Sequence, residues 1–372
     1  MATEAWLRLL AADEPDPRVW RPLLEAFGEV EAVVSLPRSR LEDAGVDAAT
    51  VGRLETPNDG RIERWRRWLD DPHHRLVTID EPVYPRYLAE IADAPLALWV
   101  DGSNVETLSY PQLAIVGSRN PTRGGSETAE TFARYFSDRG LVITSGLAQG
   151  IDTASHIGAA KGTAGTIAVL GNGPDRIYPR SNAELAARIV EHGLVISEFP
   201  PGTPPRPYHF PKRNRIIAGL TLGTLVIEAA RRSGSLITAR YASEFGREVF
   251  AVPGSIHNPL TKGCHALIRD GAKLVDDAVD VLLEIAPQLA KVTQSSSDPT
   301  ESEHGVGSLT EQHPYTELLD ALGFEPSGIA SLAERVGLTT AEVSSMLLIL
   351  EFEGLVEALP GGRYARLSQR DQ

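Results

Sequence analysis

One cysteine, Cys264, stands in 372 residues. A lone thiol excludes an intrachain disulfide and any metal site built on paired cysteines. Long apolar runs are also missing, since none reaches the roughly 18 residues that span a bilayer. The first residues, MATEAWLRLLAADEPD, lack the basic start and apolar stretch of a secretory signal. These absences predict a cytoplasmic protein without membrane association. Catalytic signatures are scarce too. There is no HExxH, no Walker lysine, no GxGxxG and no Ser/His/Asp triad spacing. His73, His74, His156, His192, His209, His257 and His265 are dispersed, and none is assigned to a metal. No cofactor is expected.

What is present is charge, unevenly placed. The net charge of −14 speaks against a nucleic-acid partner only as an average. Residues 110–286 hold 19 basic and 16 acidic residues, a local balance of +3, while the rest of the chain holds 17 basic and 34 acidic. Local sign decides where a phosphate chain can bind. The plainer reading of the acidic flanks is solubility.

Residues 1–75 carry apolar residues at helical spacing: Trp6, Leu7, Leu9, Leu10, then Trp20, Leu23, Leu24, Phe27, then Ile62, Trp65, Trp68, Leu69. The pattern predicts a small helical domain, of sterile-alpha-motif or helix-hairpin-helix type. A Pro- and Tyr-rich segment, 76–110, reads as a connecting arm. From 111 to 286 short apolar runs alternate with helical stretches: LAIVG (113–117), LVITSG (141–146), TIAVLG (166–171), LVISEF (194–199), TLVIEA (224–229) and REVFAVPG (247–254). Strands apolar on both sides, separated by helices, make a parallel sheet covered on both faces. The predicted fold is α/β, with an extended Rossmann-like parallel sheet as its core. Polar, Ser-rich 287–312 reads as a linker. Residues 313–372 read as helix, turn, helix and hairpin, a winged-helix domain.

Four turns carry candidate chemistry, each with a structural alternative. Gly117, Ser118 and Arg119 follow a buried strand, where backbone N–H groups, a hydroxyl and a guanidinium suit a phosphate. An ordinary strand-to-helix turn would look the same. Gly146, within SGLAQGID, suits a close ligand approach, and Asp152 there reads as a cap or a positioning residue rather than a catalytic acid. Phe210, Lys212, Arg213, Asn214 and Arg215 open a helix. Cations there oppose the helix dipole, and an incoming phosphate chain would relieve the conflict. Phe210 and Tyr208 could stack on bases. Ser233, Gly234 and Ser235 open another helix, as a phosphate cradle or a simple serine cap.

These stretches, in order with AVLGNGPDRIYP, SEFPPGTPP, GREVFAVPGS and GCHALIRDGAKLV, resemble the DprA (Smf) family across about 112–272. The upstream VTIDEPVYPRYLAEIADAPLALWVDG resembles the family's entry segment. The resemblance implies a non-enzymatic protein that binds single-stranded DNA and helps load RecA recombinase during DNA uptake and recombination. It points to Ser118, Arg119, Lys212, Arg213 and Asn214, with the Ser233 to Ser235 turn, as DNA contacts. It implies a homodimer, with Leu267 and Ile268 at the interface. Where many relatives carry an aromatic before Gly, residues 123–125 read Arg-Gly-Gly.

Two competitors remain. Gly223, Thr224 and Glu228 resemble the GT…E element of lysine-decarboxylase-like phosphoribohydrolases, but residues 220–222 read Leu-Thr-Leu where those enzymes carry Pro-Gly-Gly. For Glu228, pairing with a nearby Arg is the plainer expectation. The second competitor is a duplex reader using the tail. Its second helix, about 340–353, carries Glu342, Glu351 and Glu353 and no Lys or Arg, so phosphates would repel it. We expect this domain to contact protein or another part of its own chain.

Overall fold

The computed structural model describes residues 2–12, 16–294, 315–323, 326–352, 354–359 and 361–367. The central apolar runs become strands of one sheet. In chain order these are β1 (His74–Thr78), β2 (Ala97–Asp101), β3 (Gln112–Gly117), β4 (Val142–Ser145), β5 (Thr166–Val169), β6 (Leu194–Ser197), β7 (Gly223–Ile227), β8 (Glu248–Ala251) and β9 (Lys273–Leu274). The spatial order is β1-β2-β6-β5-β4-β3-β7-β8-β9. From β6 to β9 all neighbours are parallel, and β2 and β1 add antiparallel at the β6 edge.

Strand alternation assigns each helix to a face. Leu113 and Ile115 of β3 pack with Ala129, Phe136, Ile151, Val281 and Ile285, from helices Arg123–Asp138, Ile151–Ala159 and Ala278–Gln294. Ala114 and Val116 point the other way, to Ile216, Ile217, Leu220 and Ala239 of helices His209–Leu220 and Ser235–Glu244. The chain walks outward from β3 through β4, β5 and β6, then returns to the other side of β3 as β7. Adjacent connections therefore leave the sheet in opposite directions beside β3, which opens a crevice at its carboxyl end.

Six helices, from Ala2–Ala11 to Asp59–Leu69, form the N-terminal module around Trp6, Trp20 and Trp65. Asp16, Asp47 and Asn58 cap three of them by accepting backbone N–H bonds. The segment read as a connecting arm belongs to the sheet. In β2, Leu98 and Val100 face the sheet core while Ala97 and Trp99 face the helical module. Trp65 and Trp99 meet with ring centres 5.3 Å apart, and Trp65 Nε1 donates to the Pro201 carbonyl at 3.1 Å. The module is thereby seated on the sheet edge rather than tethered to it.

Helix Ala278–Gln294 runs on into the segment read as a linker, and residues 295–312 lie outside the described residues. The tail forms helices Thr316–Leu322, Ile329–Val336 and Thr340–Phe352 with strands β10 (Ser327–Gly328), β11 (Val356–Leu359) and β12 (Arg363–Arg366), in the order β10-β12-β11. Its third helix is buried on two sides. Val343, Leu347 and Leu350 pack inside the winged helix, while Leu348 joins the cluster of Val281, Leu282, Ile285 and Leu289 on the core. Among the described residues no helix is long and apolar enough to cross a membrane.

Candidate nucleic-acid interface

The crevice beyond β3, β4 and β7 is a groove of about 440 Å³, lined by Gly117, Ser118, Arg119, Phe210, Arg213, Asn214, Ser233, Gly234 and Ser235. Three turns far apart in sequence thus meet at one place. Its floor is fixed by close backbone approach. A Cβ on Gly117 would lie 1.9 Å from the Ile227 carbonyl oxygen and 2.7 Å from the Ile151 side chain, so only glycine lets β3 end there. Ile151 N–H donates to the Ser118 carbonyl at 3.1 Å, and the Ser118 hydroxyl accepts from Asn120 N–H at 3.1 Å. That pins the turn and leaves Arg119 exposed above it.

Gly146 lies beneath the groove. Its N–H, with that of Ala148, donates to the Asp152 carboxylate at 3.1 and 3.3 Å. Asp152 therefore positions the loop after β4, as its place at the helix start suggests. Arg213 is buried, 4% exposed, and donates to the carbonyls of Gly146, at 2.7 Å, and Val169. Burial pushes its pKa down to about 10, against the pull of Asp152. Burial likewise raises Asp152, and the Arg213 charge opposes that rise. Behind them burial, then the Arg213 charge, lowers His156 to about 3, and its Nδ1 contacts the Thr166 hydroxyl at 2.7 Å.

The expected basic cluster is divided by the helix that carries it. Phe210, Arg213 and Asn214 face the groove, while Lys212 and Arg215 face a second cleft towards the helical module. Arg215, 4% exposed, grips Glu198 through two nitrogens at 2.8 and 3.2 Å and Asp93 through Nε at 3.0 Å. Carboxylates and strand-end carbonyls thus hold the cations that oppose the helix dipole, without a phosphate. Lys212 is half-exposed, with Nζ 3.8 Å from Glu198 and 5.4 Å from the Phe199 ring centre.

Across the groove the Ser233 and Ser235 hydroxyls bond to each other at 2.7 Å. One hydroxyl hydrogen is used there, which leaves the other for an incoming oxygen. Asn214 Nδ2 donates to the Gly234 carbonyl at 3.3 Å and ties this turn to the basic helix. Two site residues escaped the sequence reading. Arg232 is exposed and lines the groove; its signal was a second Arg directly before the Ser233 turn. Tyr178, 49% exposed, lies 5.5 Å from Phe210 and widens the aromatic platform beside exposed Tyr208.

Among the described residues no arginine pairs with Glu228. Its carboxylate accepts from Thr122 N–H at 2.7 Å and from the Thr122 hydroxyl at 2.5 Å, at the start of helix Arg123–Asp138. A negative charge is favourable there. Its φ of +53° is a left-handed conformation, held by those bonds. Gly125 is required beside it, because a Cβ there would meet the carboxyl carbon at 2.6 Å. Among the described residues no three His, Cys, Asp or Glu side chains gather where they could hold a metal.

Leu267 and Ile268 lie half-buried on helix Lys262–Arg269, away from the groove. The neighbouring edge strand β9 exposes Leu274, at 44%.

Comparison with known proteins gives the same outline. Residues 75–286 match the family model described as DNA recombination-mediator protein A, and 308–362 match that of the DprA winged helix domain. Protein Smf of Escherichia coli is 40% identical over 98% of this chain and 96% of its own. The solved DNA processing protein A of Streptococcus pneumoniae superposes with a TM-score of 0.67 at 39% identity, covering 74% of this chain and 95% of that one. That of Helicobacter pylori, described for its single-stranded DNA binding mode, gives 0.52 at 27% identity, covering 59% and 98%. The order of groove-forming turns and the winged helix behind them place this chain in the DprA (Smf) family.

Proposed function

We propose that the chain binds single-stranded DNA in the groove beyond β3, β4 and β7, without catalysing a reaction, and presents the held strand to RecA recombinase in DNA uptake and recombination in the cytoplasm. The observation that carries the reading is the meeting of three separate turns in one open groove. They bring a glycine-floored turn, a pair of hydroxyls, exposed Arg119 and Arg232, and an aromatic platform. Arg119 and Arg232 on the rim would meet phosphates, Lys212 would meet them from the cleft side of the same helix, and Phe210 with Tyr178 would take base faces. Gly117, Ser118, Asn214, Ser233, Gly234 and Ser235 would line the strand's path. Arg213 and Gly146 would hold the floor, and Arg215 would act through the packing of the helix. The single-strand binding described for the Helicobacter pylori relative supports the choice of ligand. Family membership is the support for recombinase loading and for a homodimer through Leu267 and Ile268.

The enzyme alternative loses its candidate carboxylate, because Glu228 is engaged in capping a helix. The test is fluorescence anisotropy of a labelled oligothymidylate and a matched duplex over a salt series. Wild type should prefer the single strand. Arg119→Ala combined with Lys212→Ala should weaken binding and make the log–log salt slope shallower by about 0.7 for each phosphate no longer neutralised. No single-strand binding by wild type at low salt, or release of base from a nucleoside monophosphate, would bring the enzyme reading forward. Loading is read separately, as faster RecA filament growth on the protein-bound strand.

A further inference from the structure

The third helix of the winged domain, Thr340–Phe352, meets the core through a stripe that is only partly apolar. Val343, Leu347 and Leu350 turn into the winged domain. Ser344, Leu348 and Glu351, at helical spacing beside them, form the neighbouring face. Leu348 joins Leu282, Ile285 and Leu289 on the core. Ser344 is 1% exposed and stands at the core turn after helix Arg123–Asp138, where a Cβ on Gly140 would lie 3.5 Å from its Oγ and 3.0 Å from the Tyr364 hydroxyl. Glu351 borders a cavity of about 340 Å³ in the same seam, walled by Tyr135, Leu282 and Leu289 from the core and by Leu348 and Val356 from the winged domain. Two oxygens of this stripe, Ser344 Oγ and Glu351 Oε2, are buried without a hydrogen-bond partner among the described residues. Such atoms cost free energy while the seam is shut and recover it from water when the seam opens. The void beside Glu351 forfeits packing that would offset the cost. A seam of this make favours its closed state by a narrow margin.

Of the two orphaned groups, Glu351 is the one whose charge can change. The core presents Arg139 and Asp138 to it, β11 presents Glu357 and β12 presents Tyr364. Arg139 lies 3.5 Å from the Tyr135 ring centre and donates to the Tyr135 carbonyl at 3.2 Å, and Asp138 is held by Arg134 at 3.5 Å. Glu357 is exposed, and burial keeps the Tyr364 phenol neutral. Helix Ala278–Gln294 lines the cavity with Val279, Leu282, Ala286 and Leu289, while its Glu284 pairs with Lys273 at 2.9 Å and its Asp280 accepts from the N–H groups of Asp276 and Asp277. On helix Ile329–Val336, Glu334 and Arg335 are exposed. Burial pushes the Glu351 carboxyl up, against the Arg139 charge and a hydrogen bond from the Ala358 N–H, and the charges of Asp138 and Glu357 add to the rise.

We propose that the seat of the winged domain on the core is a proton-operated latch with Glu351 as its sensor: the neutral carboxyl holds the seam shut, and the charged one favours release of the helix face. The docked state binds the proton more tightly than the released state. Docking is therefore strongest in acid, weakens as pH rises through the docked value, and is constant beyond it. The core responds in the opposite sense, because His156 destabilises it as pH falls, so general unfolding cannot imitate the latch.

Ser344→Cys places a thiol in the seam, and peptide mass spectrometry separates its modification from that of buried Cys264. The rate of modification is divided by that of the same thiol in a protein that also carries Leu348→Asp, which holds the seam open. The ratio is the open fraction, free of the thiol's own dependence on pH. At about pH 8, Glu351→Gln should lower the open fraction by about tenfold for each unit by which docking raises the carboxyl pKa. The gap between the two proteins should narrow as pH is lowered to about 5. Equal open fractions at the higher pH, or a gap of the same size at both, would overturn the latch. So would a thiol that reacts no faster with Leu348→Asp, since the seam would then not be what covers it.

Discussion

Arg119 and Arg213 line the same groove and share little beyond their charge. Arg119 is exposed above a turn fixed by Gly117, whereas Arg213 lies under the floor, where strand-end carbonyls and Asp152 hold it. Sequence shows a basic residue at a helix start in Arg213 and in Arg215. It does not show that parallel strands end directly beneath that helix, with carbonyls that need donors. The turn after β3 was legible because the backbone there admits only glycine at Gly117. Arg232 and Tyr178 were passed over because single exposed side chains take meaning only from what stands opposite. The same buried layer makes stability depend on pH. His156 titrates near 3 when folded and near 6.5 when unfolded. Between those values the unfolded chain binds more protons, so stability falls as pH drops through 6.5, and the loss is complete near 3. This group alone should remove about 2 kcal/mol between pH 7.5 and pH 5. Urea unfolding at both pH values checks it. His156→Gln should flatten the dependence, and an unchanged slope in that variant would assign it to other groups.

At the scale of elements, the runs buried on both faces were readable as strands, since unbroken apolarity needs no knowledge of a partner. β1 and β2 were not. Each has five residues, they lie in a Pro-rich stretch, and β2 pairs with β6, nearly a hundred residues on. The cue was there in Ala97 to Val100, whose alternate residues serve two different cores. The third helix of the winged domain teaches the converse. Its sequence lacks cations, and its Leu348 is packed against the core. Leu348→Asp should therefore cost about 2–5 kcal/mol of docking. Calorimetry should show the winged domain melting apart from the sheet. The freed helix should bring no gain in duplex affinity, because its sequence offers the phosphates no Lys or Arg. A tight duplex complex of this variant would make the docking a mask over a DNA reader.

At the scale of the molecule, charge is sorted. The groove and the cleft gather cations, while most of the acid lies in the flanking domains. A homodimer built on helix Lys262–Arg269 and edge strand β9 would place two such grooves on one particle, and a long strand engaging both would be held by avidity. Leu267→Asp with Ile268→Asp should therefore give a monomer by light scattering, with short-oligonucleotide affinity kept and long-oligonucleotide affinity reduced by at least about tenfold. A dimer that survives both changes would move the interface elsewhere. The seam between module and sheet has a consequence for how the protein can be watched. All five tryptophans, Trp6, Trp20, Trp65, Trp68 and Trp99, lie in the first 99 residues. Trp65, Trp68 and Trp99 cluster where the module meets β2. The protein's ultraviolet emission is therefore a gauge of that joint. Its colour will report whether the helical module stays seated, and a strand lying only in the groove will leave it nearly unchanged.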